Sequence, residues 1–138
     1  MVKTIDMQDL RHLNLFNQIT KINTRFCFRY NDTLYFCVPK NLISKALGEN
    51  ASNIRRMSDI LKRRIKVIPK PRGIEDAEGF IKTITALVTF KELEVKDNEI
   101  ILNAGGQNKA TLFGRNKQRF FEMKSIVKGF FDRDFKII

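Results

Sequence analysis

The sequence predicts an α+β protein in which one α-β-β-α-α-β unit is written twice, each copy a three-stranded sheet covered by helices on one face. Three observations predict it. The chain has 138 residues, room for two small units of roughly 65–70 residues each. A pattern of turns, apolar residues and glycine recurs at a fixed offset. Within each copy the hydrophobic period switches between that of a helix and that of a strand.

The repeat is read at an offset of 66. It carries Leu47-Gly48-Glu49-Asn50 onto Phe113-Gly114-Arg115-Asn116, then Ile54 onto Phe120, Met57 onto Met123, Ile60 onto Ile126 and Leu61 onto Val127. Upstream, the turn at Asn31-Asp32 falls close to the turn at Asp97-Asn98. Identity between the copies is low, but their apolar positions, turns and glycines agree.

In the first copy, Asp6 is placed to N-cap a helix running to about Thr20 and bearing Leu10 and Leu13. Strands follow at Arg25–Tyr30 and Leu34–Val38, rich in aromatic and β-favouring residues. A three-residue loop, Asn31 to Thr33, would set Phe26, Phe28 and Tyr30 on one face with Leu34, Phe36 and Val38, packed against a helical layer. After Pro39 a short helix, Asn41 to Leu47, stops at Gly48, a natural C′ glycine. A second helix presents Ile54, Met57, Ile60 or Leu61, and Ile65 on one face, and a strand at about Arg64 to Ile68 closes the copy.

The boundaries are 1–68 for the first domain, a stiff linker at 69–73 (Pro69-Lys-Pro-Arg-Gly73) and 74–138 for the second. The second copy repeats the order. A helix is expected over Glu75 to Thr85, and strands over Val88–Val95 and Glu99–Leu102. A two-residue turn at Asp97-Asn98 puts Leu93 and Val95 on a face with Ile100 and Leu102. A short helix from about Gln107 leads to Gly114. A longer one carries Phe120, Met123, Val127 and Phe130 or Phe131, and the last strand is Phe135 to Ile138.

Composition narrows the function classes. With 43% hydrophobic and 30% charged residues the chain has an ordinary globular balance. Its apolar runs are far shorter than the roughly 20 residues that span a bilayer. No signal-like stretch opens Met1-Val-Lys-Thr-Ile-Asp, so a cytoplasmic protein without membrane partners is expected. Net charge is +11 and unevenly placed. Residues 1–73 carry fifteen Lys/Arg against five Asp/Glu, a balance of +10, and residues 74–138 carry eleven against ten. A basic half of that size favours a polyanionic partner. Two cysteines and one histidine are too few for a structural zinc site. His12 reads as a partly exposed helix residue. Phosphate-binding loops, dinucleotide fingerprints, metal clusters and Cys–His pairs are missing from the sequence. Glu92/Glu94 and Asp132/Asp134 read as solvated surface carboxylates. Neither an enzyme nor a cofactor is expected.

The helix–glycine–helix junction carries the chemistry. A glycine between two helices lets backbone approach a nucleic-acid chain without a Cβ in the way. The free N–H groups of the next helix favour phosphate. Basic side chains hold the sugar–phosphate track, and an apolar groove accepts unstacked bases. A GXXG loop between helices is the KH device for clamping about four nucleotides. Here the loops are Gly48-Glu49-Asn50-Ala51 and Gly114-Arg115-Asn116-Lys117. Each lacks the second glycine. Ala51 reads as a mild loss, on the expectation that it occupies the first turn of a helix, whereas Glu49 sets negative charge where phosphate should sit. The second copy supplies Arg115 and Lys117, with Arg119 just beyond. The first offers Arg55, Arg56, Lys62, Arg63, Arg64 and Lys66, flanked by Lys40, Lys45, Lys70 and Arg72. Taken singly, such charges are solvated helix faces and such glycines plain C-caps. Their coincidence at equivalent places in two copies favours a joint role. The expected RNA-contacting set is therefore Gly48, Asn50, Ala51, Arg55, Arg56, Lys62 and Arg63, with Gly114, Arg115, Asn116, Lys117 and Arg119.

The sequence also resembles the archaeal NusA-like family, short proteins of two type II KH domains related to the KH portion of bacterial NusA transcription factors. The resemblance spans nearly the whole chain. It rests on Asp9-Leu10-Arg11, Leu15-Phe16 and Thr20, then Cys27, Phe36-Cys37-Val38 and Lys45-Ala46-Leu47-Gly48. Asn53-Ile54, Ile65-Lys66-Val67-Ile68 and Phe80-Ile81-Lys82 complete it. Family members carry AIG-x-x-G before the second helix, from which Ala46-Leu47-Gly48-Glu49-Asn50-Ala51 departs. The resemblance implies two tandem type II KH domains, single-stranded RNA binding, and a role in transcription elongation, termination or antitermination with RNA polymerase. A monomer is expected. A protein-docking scaffold with degenerate loops on polymerase or ribosome is the alternative, and a single-stranded DNA-binding protein a third. In the three-residue-loop register Cys27 and Cys37 would lie directly opposite each other, although reduced thiols are expected in a cytosolic protein.

Overall fold

The computed structural model describes residues 7–86 and 88–138, so the expected N-cap at Asp6 lies outside the described residues. The chain divides between Lys70 and Pro71 into two compact units.

The first unit runs α1 (Met7–Thr20), β1 (Cys27–Tyr30), β2 (Thr33–Val38), α2 (Ile43–Leu47), α3 (Ser52–Leu61) and β3 (Arg64–Pro69). The second runs α4 (Ala77–Thr85), β4 (Glu92–Val95), β5 (Glu99–Asn103), α5 (Lys109–Phe113), α6 (Gln118–Phe131) and β6 (Asp134–Ile137). Both units are α+β, and each holds one three-stranded mixed sheet, ordered β1-β2-β3 or β4-β5-β6. In each the first pair is antiparallel and the second parallel. A parallel neighbour cannot be reached by a hairpin, so the chain crosses back through α2 and α3, or through α5 and α6. Single 3₁₀ turns precede α2 and α4, at Lys40–Leu42 and Ile74–Asp76. They take up the first residues of the longer helices expected there.

The first hairpin turns in two residues, not three. Asn31 and Asp32 both take positive φ (50° and 59°), the requirement of a type I′ turn and one that Asn and Asp meet at low cost. Tyr30 therefore pairs with Thr33, and Phe28 with Tyr35. A one-residue change of register sends alternate side chains to the other face. Leu34, Phe36 and Val38 share theirs with Cys27 and Arg29 instead of Phe26, Phe28 and Tyr30. Phe36 is fully buried and stacks on Phe16 of α1, ring centroids 4.5 Å apart and planes 14° from parallel. Leu13, Ala46, Met57 and Ile65 complete this core. Removing a ring so placed costs about 3–5 kcal/mol. The opposite face is also out of water at Phe28, Tyr30, Tyr35 and Cys37, and the Phe28 and Tyr35 rings stack at 5.0 Å. Every residue of β2 is buried, which explains its unbroken apolar run where a half-solvated strand would alternate.

Other expectations are corrected in the same way. Ile60 points to solvent at 53% exposure, while Leu61 packs against the core, and Ile65 belongs to β3 instead of the helix face. His12 is buried on α1. Pro69 ends β3 opposite Val38, and the N–H of Lys70 donates to the Val38 carbonyl at 2.8 Å. Proline is tolerated there because β3 is an edge strand. In the second unit β4 begins at Glu92, later than expected, but Val95 pairs with Ile100 and Leu93 with Leu102.

The cysteines do not face each other. Cys27 pairs with Phe36, and Cys37 projects from the other face of the sheet; both are free and buried. Alkylation after denaturation should therefore label two thiols per chain with or without reductant, read by intact mass. Recovery of an unlabelled, reductant-sensitive fraction would contradict the two-residue turn.

Candidate nucleic-acid interface

Each unit places a short helix and a long helix end to end, and the joint between them has the same backbone both times. The short helices finish at Gly48 (φ 77°, ψ 174°) and Gly114 (φ 75°, ψ 174°). Two positions on, Asn50 (φ 53°, ψ 34°) and Asn116 (φ 55°, ψ 29°) are left-handed. So are the residues that follow, Ala51 (φ 58°, ψ 31°) and Lys117 (φ 60°, ψ 24°). Each turn carries the same backbone hydrogen bonds, from Ala51 N–H to the Gly48 carbonyl and from Lys117 N–H to the Gly114 carbonyl, both at 3.1 Å, then from Ser52 N–H to the Glu49 carbonyl and from Gln118 N–H to the Arg115 carbonyl.

Glycine is required at the head of the turn for two reasons. Its φ lies where L side chains are strained. A Cβ on Gly48 would also meet Asn53 Cγ at 2.8 Å and Ser52 Oγ at 2.9 Å, and one on Gly114 would meet Arg119 Cγ at 2.8 Å and its backbone N at 3.0 Å. Those neighbours have a job of their own. Asn53 Nδ2 donates to the Lys45 carbonyl at 3.3 Å, and Arg119 Nη1 to the Thr111 carbonyl at 3.2 Å. Asn53 and Arg119 are one repeat apart, as are Lys45 and Thr111. Unlike side chains thus tie the long helix back to the short one in the same way. Asn53 was outside the expected set; its alignment with Arg119 at the 66-residue offset was the available signal.

Several expected site residues behave differently. Ala51 is not in the first turn of α3 but precedes it in the left-handed region, where a non-glycine residue costs about 1–2 kcal/mol. Its missing glycine is a backbone cost, and Lys117 bears the same one. Lys62 and Arg63 are not at the loop. They follow the far end of α3, whose 10 residues span about 15 Å. There they line an open cleft of about 600 Å³ with Asp32, Ser58, Leu61 and Arg64. Arg55 lies within reach of the turn, its Nη1 donating to the Asn50 carbonyl.

The remaining charges sort by their partners. Arg56, Arg115 and Lys117 are exposed and join no ion pair among the described residues. Glu49, equally exposed, stands where the second copy has Arg115. The flanking cations of the linker are committed elsewhere. Lys70 Nζ sits 4.3 Å from the Phe26 ring centroid. Arg72 grips Asp76 through Nε at 2.9 Å and Nη2 at 3.0 Å, with its own N–H adding a third bond at 2.8 Å. These bonds hold the Asp76 carboxyl down at about 2. Among the described residues no group of three or more His, Cys, Asp or Glu could hold a metal ion, and no helix is long and apolar enough to cross a membrane.

Two measurements check this geometry. Ala51→Gly and Lys117→Gly should each stabilise the chain by about 0.5–1 kcal/mol, since relief of the left-handed strain exceeds the entropy glycine adds to the unfolded state. A lowered midpoint in urea for either would place that residue outside the left-handed region. The Asp76 carboxylate should titrate near pH 2, and Arg72→Ala should raise its midpoint toward the ordinary carboxylate value, followed by NMR. Because the folded value is the lower one, this contribution to stability is complete above the unfolded pKa and fades as pH falls toward 2.

No family model and no curated protein matches the chain. Among solved structures it is similar to the crystal structure of APE1850, with a TM-score of 0.68 at 18% identity. The match covers 97% of this chain and 99% of that one, so the likeness in fold extends over both units.

Proposed function

We propose that this protein is a single-stranded RNA-binding module of two tandem type II KH domains. It acts in transcription elongation, termination or antitermination beside RNA polymerase, in the manner of the NusA-like family it resembles. The carrying observation is the Gly-X-Asn-X turn. Two different tetrapeptides keep one strained backbone at equivalent places, each between two helices that cross from one strand to its parallel neighbour. Left-handed non-glycine residues persist where the surroundings over-determine them, commonly at ligand clamps. The order α-β-β-α-α-β, present in both units, supports this reading. The set of phosphate-contacting residues is then Gly48, Asn50, Ala51, Arg55 and Arg56 in one unit and Gly114, Arg115, Asn116, Lys117 and Arg119 in the other. Lys62 and Arg63 extend the path of the strand at most. The reading is of a cytoplasmic, monomeric binding protein, neither an enzyme nor a cofactor carrier.

A second reading draws on Glu49, which weakens the first loop as an anion site. It is a protein-docking scaffold on polymerase or ribosome, with little RNA binding of its own.

Binding of unstructured oligoribonucleotides across a salt series separates the two. The RNA reading expects micromolar or tighter affinity, weakened by Arg115→Asp/Lys117→Asp and by Arg55→Asp/Arg56→Asp. Loss of two phosphate contacts should reduce the slope of log K against log salt by about 1.4. Lys62→Asp/Arg63→Asp should have the smallest effect of the three pairs. Absence of binding at low salt, or binding indifferent to both loop pairs, would leave the scaffold.

A further inference from the structure

Phe121 is the one phenylalanine or tyrosine among the described residues that is exposed; every other aromatic ring is buried or half-buried. It is 58% exposed. It is the fourth residue of α6, where a long helical side chain leans toward the start of the helix. It is also braced. Its ring centroid is 5.4 Å from that of Phe120, which is 5.3 Å from Phe113, the last residue of α5 before Gly114. The three rings thus link the end of α5 to the first turn of α6, the two helices that flank the turn bearing Arg115 and Lys117. Lys124, one helical turn further, holds its Nζ 5.8 Å from the Phe120 centroid.

The first unit has no aromatic counterpart at these positions. At the same offset Phe113, Phe120 and Phe121 become Leu47, Ile54 and Arg55, and Arg55 is turned onto the Asn50 carbonyl. A braced, solvent-facing ring one helical turn after the exposed Arg115 and Lys117 matches a planar heterocycle joined to an anionic backbone. An apolar protein segment would match the ring but not the neighbouring charges.

Resting on the RNA-binding reading above, we propose that Phe121 is a stacking platform for one unpaired base of an RNA strand whose phosphates sit on Arg115 and Lys117. The second unit thereby gains a base contact that the first lacks. Stacking on a ring is tolerant of base identity, because every base has a π-face, so the platform adds affinity and discriminates weakly between sequences.

The chain contains no tryptophan, which makes Phe121→Trp a single-site reporter in the full-length protein. With an oligouridylate as probe, Phe121→Trp should bind as wild type does and lose indole fluorescence in step with binding. Phe121→Ala should bind about 5- to 150-fold more weakly, with the salt slope of wild type because no phosphate contact is removed. Its thermal midpoint should match wild type, since an exposed ring contributes little to folding. Wild-type affinity in Phe121→Ala, or unquenched binding by Phe121→Trp, would overturn the platform while leaving RNA binding intact. If the wild-type chain binds no oligoribonucleotide at low salt, the RNA reading falls and the platform falls with it.

Discussion

The parallel pairing of β2 with β3, and of β5 with β6, constrains nearly everything else in each unit. A parallel neighbour must be entered at the end of the sheet where the strand just left began. The connecting segment therefore has to run back along the length of the sheet. Here that segment is two helices, and breaking between them within a few residues demands backbone conformations that right-handed helices lack. Gly48 and Gly114 begin that break, and two left-handed residues complete it. The sharpness of the turn also brings the long helix so close that a Cβ on either glycine would collide with it. The turn is thus a consequence of sheet topology before it is a candidate clamp.

Two units under one constraint have diverged in what they present. The first carries most of the surplus positive charge, yet a good part of that charge is engaged or displaced from its turn. Arg55 bonds the turn, Lys70 covers a phenyl ring, and Lys62 and Arg63 lie beyond the far end of α3. The second unit is nearly neutral overall but places Arg115 and Lys117 in the turn itself, exposed and outside any ion pair among the described residues. Local placement outweighs net charge, because interactions between exposed charges are screened over about 8–10 Å in physiological salt.

Much of this architecture is legible in the residues. The 66-residue repeat, the strand and helix order, the terminal glycines and the Asp97-Asn98 turn all follow from spacing and from local stereochemistry. The first hairpin was not legible in the same way. Asn31-Asp32-Thr33 is compatible with a loop of two or three residues, and the apolar residues on both sides leave either register with a hydrophobic face. Burial of both faces of β2 erased the alternation that normally decides between them.

The sequence by itself determined the two-copy α+β plan, the position of each helix–glycine–helix joint and the basic character of the chain. Those features are carried by short-range periodicity and by residues with special backbone freedom. Tertiary structure alone decided that Phe36 rather than Phe28 meets α1, and that Cys27 and Cys37 project from opposite faces. It also decided that Ala51 is left-handed rather than helical, and that Lys62 and Arg63 stand a helix length from the turn they follow in sequence. Each of these depends on where one element meets another. A side chain's neighbours across a sheet, or at the opposite end of a helix, are set by three-dimensional closure and not by distance along the chain.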